Sequence, residues 1–121
     1  MRSYWIRRNG KRIFIADFSN LGSDAKAVYS EAQAIQGILK LETPASVRSI
    51  TYVEGTYGSP EVIQALADLL PVSNKYISMR ALVGVTGFRK HFLEAFTKLV
   101  GDVHFRQFDT LEQALDWLAE D

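Results

Sequence analysis

Two places in the sequence combine residue types that could hold an anion. In the Gly-Val-Thr-Gly corner at 84–87, the hydroxyl of Thr86 and the main-chain N–H groups around Gly87 would meet the start of a helix. The second place is Ser59, which a proline and an acid follow as they do at a helix start. Both places are more simply interpreted as helix caps, and the corner lacks the Gly-Lys-Ser/Thr ending of a nucleotide-binding loop. Ser59, Thr86 and Gly87 are therefore candidates for a switch or anion site, with capping as the favoured interpretation.

The residue types give little support for metal binding, cofactor binding or catalysis. The chain has no cysteine, and its histidines, His91 and His104, fall on different predicted elements without an acid at ligand spacing. We therefore predict no metal, no cofactor and no catalytic constellation. A third and weaker hypothesis is an enzyme for an acidic metabolite, because Asp17 and Asp109 both follow predicted strands at the edge where open α/β sheets bind ligands. Ser59 and Thr86 would share that edge.

Length and charge narrow the class of protein. The 121 residues are 47% apolar, which suits a single domain spanning 1–121 with a real core. The 14 basic and 14 acidic side chains balance, so the overall field that attracts nucleic acid is missing. No apolar run is long enough for a signal peptide or a membrane span, and we expect no integral membrane association and a cytoplasmic location.

Hydrophobic periodicity and turn residues predict the elements. Asn9-Gly10 between two apolar runs is a strong hairpin signal, and Thr110 to Gln113 reads as a capping box. We also expect Pro71 to end the second helix. The predicted chain begins with a hairpin of two strands, 4–8 and 11–18. Helices that start near residues 25, 60 and 87 then alternate with strands at 47–53, 77–85 and 103–108, and a last helix starts near residue 111. The fold class is therefore α/β, with a five-stranded, mostly parallel mixed sheet, an antiparallel N-terminal strand and four helices.

The distribution of side chains on the sheet yields a candidate surface. Right-handed crossovers between neighbouring strands would put every helix on one face and leave the other face free of helices. Strand alternation predicts that this helix-free face mixes cations with aromatic and apolar side chains, as interface centres do. Its predicted members are Arg48, Tyr52, Arg80, Leu82, His104, Arg106 and Phe108. We interpret it as a partner or ligand face, the alternative being cover by terminal segments or side-chain stems of the same chain.

Two stretches also resemble a known family. The run from Ala81 to Lys90, followed by the run from Phe108 to Leu118, is similar to the small stand-alone bacterial STAS-like proteins, which resemble anti-sigma-factor antagonists in fold. The resemblance implies a right-handed β-α superhelix without catalytic machinery. Relatives in the wider superfamily act as protein-binding modules switched by a phosphoserine, whose matching position is Ser59. CRAL-TRIO proteins, with a related fold, hold apolar ligands on the sheet.

The sequence therefore favours a non-enzymatic regulatory or protein-interaction module, with a protein partner or a homodimer. The alternative hypothesis is a binder or carrier of a small apolar or amphipathic ligand on the helix-free sheet face. What covers that face in the folded chain would separate the two.

Overall fold

The fold was analysed in a computed structural model, which describes residues 1–85 and 105–120 together with Glu94 and Lys98. The strands are β1 (Tyr4–Arg8), β2 (Lys11–Asp17), β3 (Val47–Tyr52), β4 (Ile77–Val83) and β5 (Arg106–Phe108). The helices of the described part are α1 (Ala25–Leu39), α2 (Pro60–Tyr76) and α3 (Leu111–Leu118). The predicted helix that begins near residue 87 lies outside the described residues.

The sheet confirms the predicted α/β class. Its five strands lie in the order β1-β2-β3-β4-β5, with β1 antiparallel to β2 and the other neighbours parallel. Asn9 and Gly10 both have positive φ, 52° and 74°, as the two central residues of a tight hairpin turn require. The predicted caps are also confirmed. Ser59 accepts a hydrogen bond from the Val62 amide at 3.3 Å, and Thr110 and Gln113 form a capping box.

The face prediction is wrong in part. Helices α1 and α2 share one face of the sheet and build the larger core with side chains such as Phe14, Ile35 and Leu66. The opposite face is not free of helices, because α3 packs there through Leu115 and Leu118 over Ile50 and its neighbours. The physical reason is that the handedness rule governs only helices that connect parallel strands. Helix α3 follows β5 without connecting two strands of this five-stranded sheet, so the rule does not fix the face on which it packs.

Two arginines hold α3 against the sheet. Arg8 on β1 donates to Glu112 Oε2 at 2.8 Å and to Asp116 Oδ1 at 2.9 Å, one helical turn apart. Arg48 on β3 donates to the main-chain oxygens of Leu118 and Glu120, where the helix leaves carbonyl groups without partners. The first strand, the central strand and the last helix are thereby linked.

Helix α2 continues past Pro71, which corrects the prediction that this proline ends it. The helix extends to Tyr76, and β4 begins at the next residue. Proline removes one main-chain hydrogen bond and crowds the preceding turn. Ser73 and Tyr76, two and five residues after Pro71, are nevertheless buried. Packing of that last segment against the core evidently outweighs the lost bond.

Gly84, directly after β4, supports a test of backbone geometry. Its φ is +90°, and a Cβ atom there would lie 2.7 Å from the main-chain nitrogen of Glu54. Gly84→Ala should therefore lower the free energy of unfolding by about 2 kcal/mol or more, since both strain and a main-chain clash oppose it. Chemical denaturation would measure the change.

Gly37 provides the matched control, because it lies within α1 with nothing within 4 Å of its would-be Cβ. Gly37→Ala should raise the free energy of unfolding by about 0.5–1 kcal/mol through helix propensity. Equal effects of the two alanines would contradict the assigned geometry at Gly84.

Candidate functional site

An apolar cavity lies between the sheet and the α1/α2 pair. Its volume is about 50 Å³. The floor is formed by side chains of β2, β3 and β4, and the walls come from α1 and α2. The lining residues are Phe14, Ala16, Phe18, Ile35, Leu39, Ser49, Thr51, Leu66, Leu69, Leu70, Ser73, Ile77, Arg80, Leu82 and Phe105. A concave apolar site with a few convergent polar groups is the usual form of a small-molecule pocket.

The polar groups of the cavity are adjacent on the sheet. Ser49 on β3 is the register partner of Arg80 on β4, so a hydroxyl and a guanidinium lie side by side on the same face. The next pair toward the carboxyl ends of the strands is Thr51 and Leu82. Ser73 approaches from α2. The cavity thus has a polar end at Ser49, Ser73 and Arg80, and apart from Thr51 the rest of its lining is apolar.

Arg80 is a partly buried cation held by neutral groups. Its Nη1 donates to Asn74 Oδ1 at 3.0 Å and its Nη2 to Ser73 Oγ at 3.1 Å. Within residues 1–85 and 105–120, no carboxylate forms an ion pair with it. Burial lowers the pKa of Arg80 to about 10, because desolvation disfavours the charged form. The side chain remains a cation at neutral pH. Its hydrogen bonds to neutral groups compensate only in part for the loss of hydration.

The other described members of the predicted face lie across the sheet from Arg80 and Leu82. Arg48 binds the end of α3, and Tyr52 and Phe108 pack against the α3 core. The Arg106 guanidinium lies 5.6 Å from the ring centroids of Phe108 and Trp117. The seven residues therefore do not form one surface, and His104 lies outside the described residues.

The predicted anion sites receive no further support as sites. Ser59 acts as the N-cap of α2, which is the favoured interpretation. Thr86 and Gly87 lie outside the described residues. The carboxylate of Asp17 accepts from the amide and the hydroxyl of Ser19 at 2.9 and 2.6 Å, and it lies 3.6 Å from Arg2. Among the described residues, no group of three or more histidine, aspartate or glutamate side chains could hold a metal.

Glu31, a buried carboxylate on α1, anchors the start of the chain. It accepts from the amides of Arg2 and Ser3 and, at 2.6 Å, from the Ser3 hydroxyl. The Ser3 hydroxyl in turn accepts from the Asp17 amide at 3.0 Å. These donors satisfy the buried charge, so Glu31 has a structural role.

Sequence reasoning missed Ser49 and Ser73, although the pattern of β3 contained a signal for Ser49. Ser49 and Thr51 share one inward side of β3 with Val47 and Val53, so small hydroxyl groups occupy core positions. Ser49 is 1% exposed and Ser73 is 2% exposed, which places both in the interior. A serine at a buried position fills less volume than a larger apolar side chain and adds a hydroxyl group that can donate a hydrogen bond. Ser73 was hidden because the helix was expected to stop at Pro71.

Comparison of the chain with protein-family models, curated proteins and solved structures finds no match. None of the helices in the described part is long and apolar enough to cross a membrane.

Tyr52 and Glu54 supply a pH prediction at the carboxyl edge of the sheet. The Tyr52 hydroxyl donates to Glu54 Oε2 at 2.6 Å, and this bond, with some desolvation, raises the pKa of Tyr52 from 10.0 to about 12. The raised pKa contributes stability that is present below pH 10 and is lost as the pH rises toward 12. Glu54→Gln should return the tyrosine pKa toward 10, since the charge that opposes tyrosinate is removed.

Ultraviolet titration of tyrosinate absorbance measures this change. Tyr52→Phe is the control, because it should delete the late-titrating component altogether. A component near pH 12 that persists in Tyr52→Phe would contradict the assignment.

Proposed function

We propose that this domain is a non-enzymatic binding module for a small amphipathic ligand, held between the sheet and the α1/α2 pair. The observation that carries the proposal is the apolar cavity with one polar end, at Ser49, Ser73 and Arg80. An interior that only had to be stable would close such a space, because cavities and unpaired buried charges both destabilise a fold.

The cavity volume limits the ligand. At about 50 Å³ the space is far below the roughly 300–1,000 Å³ of sites for drug-sized molecules. A single water needs roughly 10–15 Å³, so the cavity accommodates about four water-sized groups. The proposal therefore concerns a compact ligand, or the end of a longer one, rather than a whole lipid chain.

This proposal keeps the ligand hypothesis from the sequence but changes its place. The sequence placed the ligand on a helix-free face, and that face is covered by α3. The cavity instead lies on the face of Phe14 and Leu82, beneath α1 and α2. Arg80 and Leu82 are the predicted site residues that line it.

Binding can be tested with three probes that share a tail and differ in their heads: n-butanol, butyrate and butylammonium. Saturable amide chemical-shift changes, observed by NMR and confined to cavity-lining residues such as Ser49 and Leu82, are expected with at least one probe. If none of the three perturbs these amides at millimolar concentration, the proposed function fails.

Filling the cavity should weaken ligand binding without a large change in the free energy of unfolding. Ala16 lines the cavity, so Ala16→Val should change the free energy of unfolding by less than about 1 kcal/mol while weakening probe binding. Ala81 is fully buried against the α3 core on the opposite face. Ala81→Val should destabilise by about 1–3 kcal/mol through overpacking and leave the cavity amides responsive. Undiminished probe binding in Ala16→Val would place the ligand elsewhere.

A second candidate function is the regulatory or protein-interaction module that the sequence favours, acting as a homodimer. Tyr29 and Tyr57 are 50% and 60% exposed, and tyrosine is enriched at interface centres. Tyr29 lines a mostly apolar groove between the first halves of α1 and α2. The groove carries Lys26 on one helix and Glu61 on the other, so a twofold-related copy would pair opposite charges.

Sedimentation equilibrium tests this candidate. The wild-type chain should show concentration-dependent dimers, and Tyr29→Ser should shift the chain to monomer. Leu41 is 81% exposed and lies outside the groove, which makes Leu41→Ser the matched control with unchanged association. A wild-type chain that remains monomeric at millimolar concentration would remove this candidate.

We also propose that the domain is related to the STAS-like proteins that its sequence resembles. The order of strands and helices in the described part fits it, as does the position of Ser59 at the start of the helix after the middle strand. A phospho-switch would act at that helix start, where Ser59 already serves as the cap.

A further inference from the structure

The charge at the polar end of the cavity indicates the kind of head group that the ligand carries. Three arginines of the predicted face are described by the structure. Arg48 donates to carbonyl groups at the end of α3, and Arg106 lies over two aromatic rings. Arg80 alone among these three lines the cavity; it donates to the hydroxyl of Ser73, which also lines the cavity, and to the amide oxygen of Asn74 at the surface.

Within the described residues, those neutral partners occupy only part of the guanidinium's hydrogen-bonding capacity. The planar guanidinium has five N–H donors in a fork that matches an oxygen pair, and the two hydrogen bonds to Asn74 and Ser73 use only some of them. Ser49 lies beside Arg80 on the neighbouring strand, so its hydroxyl is a further donor at the same end of the cavity. The arrangement places a positive charge and hydroxyl groups at one end of an apolar space.

We propose that the ligand of this cavity is a small monocarboxylate, with its carboxylate paired to Arg80 and Ser49 and its apolar tail against Leu66, Leu69 and Leu82. This inference rests on the proposed function and specifies its ligand class. The tail residues are leucines from α2 and β4 that line the remainder of the cavity.

Charge and lining together favour this class over other anions. One guanidinium balances the single charge of a carboxylate, whereas a phosphate dianion would bring an excess negative charge into a largely apolar site. A cation or a neutral alcohol would give Arg80 no anion beyond the neutral partners that it has among the described residues. With space for about four water-sized groups, the cavity holds a carboxylate and one tail carbon, and butyrate presents this group at the end of a longer chain.

The proposal has a consequence for stability that a structural arginine would not show. Because burial without an anion disfavours the charged guanidinium, Arg80→Met should be no less thermostable than the wild type when ligand is absent. Butyrate should raise the Tm of the wild type, since it binds the folded state only. The same addition should leave the Tm of Arg80→Met unchanged.

The decisive experiment compares dissociation constants by NMR titration for butyrate, n-butanol, butylammonium and inorganic phosphate. Butyrate should bind the wild type about 10- to 100-fold more tightly than n-butanol, the range expected for a hydrogen-bonded charged pair. Arg80→Met should remove that preference and retain the weak binding of n-butanol. Arg80→Lys, which keeps the charge but loses the fork, should give an intermediate preference. Arg106→Met is the matched control, since it removes one positive charge from the opposite face.

The possible outcomes distinguish the carboxylate assignment from the proposed binding function. Equal binding of butyrate and n-butanol, unaffected by Arg80→Met, would overturn the carboxylate assignment and leave the proposed function standing. Phosphate that binds as tightly as butyrate in an Arg80-dependent manner would also overturn it, in favour of a site for inorganic anions. Absence of binding by every organic probe would remove the proposed function itself. If Arg80→Met does not fold, Arg80→Lys provides the comparison.

Discussion

The central strands β3 and β4 are covered by helices on both faces, α1 and α2 on one side and α3 on the other. A polar side chain on either strand must therefore find partners within the protein or a bound molecule. Arg48 finds carbonyl groups at the end of α3, and Tyr52 finds Glu54. Arg80 is the charged side chain of these two strands whose described partners are neutral. Because helices cover both faces of the sheet, Arg80 is the charge on these strands that an anionic ligand would neutralise.

The local features of the fold were predictable because each depends on a few neighbouring residues. Asn9-Gly10 forms its hairpin through two positive φ angles, and Ser59 and Thr110 cap helices through contacts three residues along. The alternation was also correct for residues 79–83 of β4, although Ile77 lines the cavity with Arg80 and Leu82. Ala81 and Val83 face one side, and Arg80 and Leu82 face the other. These features involve no long-range geometry, so sequence patterns are sufficient for them.

The assembly of the site depends on relations between elements. Alternation shows which residues of one strand share a side, but it does not align that strand with the next. In the structure Arg48 is paired with Met79, next to a register shift, so Arg48 and Arg80 point to opposite faces. The cavity in turn depends on the summed volumes of side chains from three strands and two helices. Sequence supplies its ingredients, the small hydroxyl residues in β3, without showing that they leave a space.

The attachment of α3 also has a consequence for how the chain folds. Arg8 and its partners Glu112 and Asp116 are separated by more than a hundred positions, with sequence separations of 104 and 108. During synthesis the hairpin and the first crossovers can form well before α3 leaves the ribosome. In that interval the side of the sheet that carries Ile13, Ile15 and Ile50 is bare. A chain whose strands have formed before α3 docks therefore exposes a half-covered sheet, the kind of apolar surface that promotes aggregation.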